Sequence, residues 1–562
     1  MLTLIGAASA QPDPQALISR YIEAWRDFYP SAAFASGDAA GATVFEDYTG
    51  PRTANWLAFN AATANAVRSL LKAAGVESST RIDLQVLLGQ VDDELANWRE
   101  DHPLAEQPQW YAEQISQALT HLLVRDQLSV QERSIALLAR LQGVRQLCEQ
   151  GVQTLTGGNA LRTETALRTL QGTRDFYAAE LPRLTAAWPA VAKGPAIAEA
   201  IDQTVASVAA LENHLRTEIA PGAPVSAAMQ AGHYAAKLAR RTSGLYTPQT
   251  LLAAAGTEMA TVRGQMFIEA KRWRETQPGS SAAPDSSEQI LSAAIAAMEA
   301  DRQEKSADFL ASFTRLTFAA ERFVAEEQIA SIPKPTTLTI ALSPPHFSGA
   351  AVGGVYPTGP FAPESDTLFY VPSIADSAAP DIREGFYRSF NTHFNTMIMS
   401  HEMFPGHYLQ YKVAVTEAPA VRSLFANGSY VEGWGSFAEE LMLDAGWADN
   451  APLTRLAHLR KRLENATRAY VSVQVSTAGW DEAQVLAFAR DEGLLAPQFA
   501  KNLWQRVVNS PLQITDYFTG YQHFRRLFAI YQASPQNDGI RRWVDAVLQA
   551  GPVPPIMLAG ML

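Results

Sequence analysis

The chain is expected to be mainly α-helical, a multi-helical protein of two lobes with a small β-sheet beside the segment that carries its chemistry. Three observations lead there. Apolar residues recur three and four apart through most of the sequence, as at Leu128, Ile135, Leu138 and Leu141, which is the period of a helix and not of a strand. β-branched residues gather in only two short runs between 336 and 372. The chain has 562 residues, 47% of them hydrophobic, well beyond the roughly 250 to 300 residues at which single cores usually stop growing.

The first ten residues are apolar, and Ala8-Ser9-Ala10 ahead of Gln11-Pro12 resembles a signal-peptidase site. A signal-peptide remnant at 1–10 is therefore expected, which places the protein in the periplasm or outside the cell. The stretch is short and lacks a basic start, and without an export role the protein would stay cytoplasmic.

Residues 14–330 read as an N-terminal helical region. Its amphipathic stretches run from Asp92 to Glu100, Glu106 to Val144, Leu161 to Ala192, Ile197 to Ile219, Val225 to Arg240, Gln249 to Trp273, Ser287 to Asp301 and Phe309 to Glu326, with Pro182 and Pro189 expected to break the third. Turn chemistry separates them at Thr156-Gly157-Gly158, Pro221-Gly222-Ala223-Pro224 and Gln277-Pro278-Gly279. Ser331-Ile332-Pro333-Lys334-Pro335 marks the lobe boundary.

Residues 336–562 form the second region. Thr336 to Ala341 and Thr367 to Pro372 are strand candidates around a Gly/Pro-rich passage, and the small sheet they imply should flank the histidine segment, where its edge could hold an extended peptide. Helices resume at Ile382, and the two regions are expected to pack as one cleft-containing unit.

Composition narrows the function. A net charge of -12 and the absence of any long basic stripe argue against a nucleic-acid partner. Arg460-Lys461-Arg462, Arg525-Arg526 and Arg541-Arg542 read as solvated helix faces. The single cysteine, Cys148, rules out an internal disulfide and a thiolate metal site. After the N-terminus no apolar run reaches the length of an integral membrane segment. Neither a nucleophile-elbow serine nor a phosphate-cradling loop occurs. Oligomeric state is not readable from the chain.

The chemistry concentrates in Ser400-His401-Glu402-Met403-Phe404-Pro405-Gly406-His407 and in Glu432-Gly433-Trp434-Gly435-Ser436-Phe437-Ala438-Glu439-Glu440. A catalytic zinc takes three protein ligands and a water, and His401, His407 and Glu432 could supply them, with Glu402 as general base. The two histidines are six apart, not four, so an uninterrupted helix would point them roughly 120° away from each other. Pro405-Gly406 offers the remedy, because a kink, a widened turn or an outright break there could swing His407 back. Glu432 and Glu439 are seven apart and share a helical face, suiting one ligand and one carboxylate that supports a ligating histidine. His393, eight before His401, reads as a supporting or structural residue, and Glu440 as solvent-facing. Without a metal, the same residues would be a buried His/Glu pair beside a helix break.

His-Glu-x-x-Pro-Gly-His followed by Glu-Gly-Trp-x-x-x-x-Glu resembles the motif pair of the bacterial domain-of-unknown-function 885 family, complete here at His401 to His407 and Glu432 to Glu439. That family is similar to gluzincin-type zinc peptidases, including angiotensin-converting-enzyme-like and oligopeptidase-like enzymes. The resemblance implies a zincin-like helical architecture with an active-site cleft, one zinc ion, and a metallopeptidase acting on a peptide or small amide. A looser match, Pro511 to Gly520, points to Tyr517 as a donor to the oxyanion at the attacked carbonyl. Between Arg468 and Ala483, Ser472, Gln474 and Ser476 stand where relatives carry an Asp, a Gly and a His, which leaves room for a catalytically inactive peptide- or ligand-binding protein. An ester or non-peptide amide hydrolase is a further alternative. Arg383, Arg388 and Arg468 are candidates to hold a substrate carboxylate.

Overall fold

The structure is a computed structural model that describes residues 13–562 apart from 74, 126, 193, 230, 279–285 and 344–353. The expected signal-peptide remnant and most of the Gly/Pro-rich passage lie outside the described residues. The helices before the sheet are α1 (Pro14–Phe28), α2 (Pro30–Ala35), α3 (Gly50–Lys72), α4 (Ser78–Glu100), α5 (Pro103–Glu106), α6 (Pro108–Gln117), α7 (Thr120–Val124), α8 (Val130–Thr154), α9 (Ala160–Leu184), α10 (Ile197–His214), α11 (Ala231–Arg241), α12 (Pro248–Glu275), α13 (Ser287–Ala300) and α14 (Ser306–Glu326). Strands β1 (Leu338–Leu342), β2 (Gly354–Tyr356) and β3 (Thr367–Val371) follow. The remaining helices are α15 (Pro380–Ser389), α16 (Thr392–Glu402), α17 (His407–Glu417), α18 (Ala420–Leu424), α19 (Gly428–Asp444), α20 (Pro452–Ala478), α21 (Glu482–Asp491), α22 (Pro497–Asn509), α23 (Asp516–Gln532), α24 (Ile540–Ala550) and α25 (Pro555–Leu558).

The mainly helical expectation holds, with local differences that have local causes. The single stretch expected from Glu106 to Val144 is divided among α6, α7 and α8. Pro108 starts α6, and Ser129 starts α8 with a capping box in which its side chain and that of Glu132 exchange bonds with each other's backbone N–H. The stretch expected to begin at Val225 is helical only from Ala231. Before it, the Met229 N–H is spent on the Ser476 carbonyl, so that backbone is committed to a tertiary partner. Pro182 is tolerated in the last turn of α9, which ends at Leu184.

The sheet is open and three-stranded, in the order β1-β3-β2, with β1 parallel and β2 antiparallel to β3. It sits against the histidine segment: Tyr408 of α17 lies beside Thr337, the residue before β1, and Lys412 Nζ donates to the Pro363 carbonyl at 2.9 Å. On the other side Phe369 packs on Phe313 of α14.

The largest buried cluster draws residues from Leu17 to Leu558, on both sides of 331–336. A second joins α11, α12 and α13 to α20 through Leu251, Met259, Val262, Leu456 and Leu463. A third joins the end of α20 to α21 and α22. α20 thus lies inside the protein, and the Arg460-Lys461-Arg462 run is not the solvated face expected of it. Arg462 is 6% exposed and paired with Glu258 of α12 at 2.6 Å, and Arg460 reaches Glu299 at 3.0 Å. Glu440 is likewise not solvent-facing: it accepts a hydrogen bond from Tyr521 and faces Arg462 and Arg525.

Asp83 of α4 and Arg422 of α18 form a buried pair at 2.6 Å, and Arg422 also donates to the Ala550 carbonyl at 2.8 Å. Burial alone would raise the Asp83 pKa, and Arg422 opposes that rise. Arg422→Ala strands a buried carboxylate and should cost about 3 to 5 kcal/mol in urea denaturation, and an apolar replacement of both partners should recover much of it.

Candidate metal centre

Two asparagines start the helices that carry the site. Asn391 caps α16 by accepting from the Phe394 N–H, and Asn427 caps α19 by accepting from the Tyr430 N–H. α16 ends at Glu402 and α17 begins at His407, so the remedy for the six-residue spacing is an outright break. Residues 403–406 form it, with a cis peptide between Phe404 and Pro405, and the indole N–H of buried Trp434 pins it by donating to the Pro405 carbonyl at 2.9 Å. Glycine is required at 406 because a Cβ there would lie 1.9 Å from the His401 carbonyl oxygen. The start of α17 therefore presses directly on the end of α16.

The break brings the two imidazoles together at 83°, their centroids 4.7 Å apart. His401 Nε2 lies 3.7 Å and His407 Nε2 3.6 Å from the same oxygen of Glu432, and the three ligand-type atoms lie within 4.8 Å of one another. The opposite ring nitrogens are both engaged, His401 Nδ1 by Glu439 at 2.9 Å and His407 Nδ1 by Gln410 at 3.2 Å. With Nδ1–H donated to an acceptor, each Nε2 can present a lone pair toward Glu432. Donor atoms at about 2.0 to 2.1 Å from a tetrahedral zinc would lie about 3.4 Å apart, so the donor set and its spacing fit such an ion. Gly435 gives His401 its room, since a Cβ there would come within 2.8 Å of the ring.

Glu432 and Glu439 do share one face of α19. Glu439, 1% exposed, lies behind His401 and also accepts from His458 Nδ1 at 2.9 Å. Burial alone would raise its pKa, but the bonds from His401 and His458 win and hold it at about 2. Glu432 is held low against burial by the two histidines. Burial opposes charge on His401 as well, yet Glu432 and Glu439 lift its pKa to about 10. Without a metal, the two carboxylates favour the protonated form of His401.

Glu402, half-buried, makes no hydrogen bond or ion pair among the described residues, and its charge acts on both His401 and Tyr411. The Tyr517 ring lies 6.5 Å from that of His401 at an interplanar angle of 17°. Arg468 is beside it, 4.9 Å from the ring centroid. His393 is elsewhere, bonded to Thr454 at 3.0 Å and facing Asp301. Arg388 pairs with Glu299 at 2.6 Å, and Arg383 donates to the Asp376 carbonyl at 3.4 Å. Four neighbours have no part in the motif reading: His458, Lys461, Arg506 and Tyr411. Only Tyr411, one helical turn after His407 and 6.0 Å from its ring, carried a spacing that could have revealed it.

Residues 30–562 match the family described as "Bacterial protein of unknown function (DUF885)", and the chain belongs to that family. Its fold is similar to that of a candidate lipoprotein of unknown function from Shewanella oneidensis, with a TM-score of 0.78 and 20% sequence identity over 98% of this chain and 99% of that one. A candidate lipoprotein from Colwellia psychrerythraea is similar at a TM-score of 0.77 and 14% identity, over 97% and 98% of the two chains. At these identities the likeness concerns the fold alone. No curated protein matches the chain. Neither of the two solved proteins is described as a peptidase. Among the described residues no helix is long and apolar enough to cross a membrane.

The charge network sets the stability of chelator-treated protein against pH. His401, raised to about 10, contributes fully below its unfolded pKa of about 6.5 and loses that contribution as pH rises through 10. Glu439, lowered to about 2, contributes above about 4.5 and loses it as pH falls toward 2. Thermal melts should therefore show a maximum between about pH 4.5 and 6.5 and a decline toward pH 10. Glu439→Gln should flatten the alkaline decline.

Proposed function

We propose that this protein is a zinc-dependent hydrolase that cleaves peptide bonds, with one zinc ion held by His401, His407 and Glu432. The observation that carries the reading is the convergence of both histidine Nε2 atoms on one Glu432 oxygen while Glu439 and Gln410 hold the opposite ring nitrogens. Zinc bound there supplies Lewis acidity toward a carbonyl oxygen and lowers the pKa of a water. Glu402, next to His401 and without a hydrogen bond or ion pair among the described residues, takes the proton of the attacking water and returns it to the leaving amine. Burial and then the Glu432 charge keep the Tyr517 pKa above its ordinary value, so its hydroxyl stays a donor at neutral pH and can stabilise the developing oxyanion. Asp516 steadies it by accepting from Arg241 at 2.8 Å and Ser429 at 3.0 Å, which ties the first turn of α23 to α11 and α19.

In this reading the helical regions form a two-lobed, zincin-like arrangement, and substrate enters by an open cleft of about 880 Å³. Its lining includes Asp101, Arg162, Lys237 and Arg241 together with Pro511, Leu512 and Gln513, which precede Tyr517 in the chain, while the candidate ligands themselves lie outside that lining. The apolar residues 1–10 and the likeness to candidate lipoproteins support a periplasmic or secreted setting. Ser472 is spent on Tyr234 and on the Pro511 carbonyl, so it helps shape the cleft wall.

Elemental analysis should find about one zinc per chain, lost in His401→Ala and in Glu432→Ala variants that remain folded. Glu402→Gln should keep the zinc and lower turnover of a peptide library by about 10² to 10⁴. Zinc without hydrolysis of any peptide or ester would instead identify a binding protein, and no zinc after supplementation would overturn the reading. Glu439→Gln should weaken zinc affinity by about 10 to 100-fold, measured by chelator competition.

A further inference from the structure

Three cations gather on the ring of Tyr517. Arg468 Cζ lies 4.9 Å, Arg506 Cζ 5.6 Å and Lys461 Nζ 5.9 Å from the Tyr517 centroid. Lys461, Glu464 and Arg468 follow one another at helical spacing along α20, and Arg506 comes from α22. Among the described residues one carboxylate pairs directly with them: Glu464 meets both Lys461, at 3.3 Å, and Arg468. The other acids nearby are committed, Glu439 to His401 and His458, and Glu432 to the two ligand histidines.

Among the described residues, three cations thus meet one directly paired carboxylate in a largely buried place, an excess of positive charge that proteins rarely retain without an anionic partner. Burial followed by repulsion from Arg468 lowers the Lys461 pKa, as expected of crowded cations. Donors remain unspent. Arg468 gives single bonds to Asn465 and Glu464, Lys461 one bond to Glu464, and Arg506 bonds to Gln513 and Tyr517, out of five N–H groups on each arginine and three on the lysine. Gln513, which accepts from Arg506 at 2.8 Å, lines the open cleft, so Arg506 stands one hydrogen-bonded side chain from accessible space.

We infer that Lys461, Arg468 and Arg506 form a carboxylate-binding subsite that holds the free C-terminus of a peptide substrate. The inference rests on the hydrolase reading and deepens it. The His401 ring lies 6.5 Å and the three cations 4.9 to 5.9 Å from the same Tyr517 centroid, so the subsite and His401 are within reach of a short peptide segment. A chain that spans about 3.3 to 3.6 Å per extended residue bridges the two with roughly one to three residues. The protein is then an exopeptidase that releases a short fragment from the C-terminal end.

The test uses N-acetylated tetrapeptides as free acids and as C-terminal amides, with Asp or Glu included in some of the amides. The zinc-supplemented wild type is assayed for cleavage position by mass spectrometry, and the Glu402→Gln variant for binding of the same peptides by calorimetry. The expected result is that acids are favoured over amides by about tenfold or more, with cleavage one to three residues from the C-terminus. Arg506→Gln and Lys461→Met, verified as folded by circular dichroism, should each erode that preference. Equal handling of acids and amides, or a preference that survives both substitutions, overturns the subsite and leaves the hydrolase standing. A preference that follows internal Asp or Glu in the amides overturns the assignment to the C-terminus. Acid-selective binding without cleavage supports the subsite and overturns the hydrolase.

Discussion

The site depends on how closely the start of α17 is pressed against the end of α16. A Cβ at Gly406 would fall 1.9 Å from the His401 carbonyl oxygen, so a residue without a side chain is what allows the chain to turn inside so short a break. That contact converts a six-residue separation into two imidazoles 4.7 Å apart. Trp434, fully buried, then clamps the break through the Pro405 carbonyl. The same short motif that supplies Glu432 thus also supplies the residue that holds the two histidines' backbone, and the two motifs are one mechanical unit.

Behind this unit lies a layer whose role is to orient charge. Glu439 receives one histidine from α16 and another from α20, so a single buried carboxylate ties together three helices and sets which nitrogen of His401 faces Glu432. Burial of so many ionisable groups would be costly if any were unpaired. Here Glu439, Glu258, Asp83 and Asp516 each meet a cationic or imidazole partner. α20 is the spine of the arrangement. One of its faces is packed against α12, while others present His458 to Glu439 and Lys461 and Arg468 to Tyr517.

The likeness to two solved proteins over nearly the whole chain at 14% and 20% identity shows how little sequence the fold itself needs. Helical period and apolar volume can be met by many residues, and a packed helical scaffold survives wide exchange among them. The close contacts around Gly406 and Gly435 are of another kind, because there the available space is less than one methyl group.

Much of this was legible in the sequence. Helical class follows from apolar periodicity, the small sheet from two β-branched runs, and the candidate His/His/Glu cluster from residue types that share a chemistry. The seven-residue interval between Glu432 and Glu439 places both on one face of a helix whatever surrounds it. What sequence could not settle was geometry between elements. The outright break at 403–406, the burial of Arg462 and Glu440, and the meeting of His458 with Glu439 arise from packing between helices far apart in the chain. Arg383, Arg388 and Arg468 are equivalent as letters, and only their surroundings separate two surface contacts from the one beside Tyr517. Local patterns report the faces that a segment offers. Which faces meet is decided by the whole core closing at once, because burial and charge pairing are properties of the assembled protein.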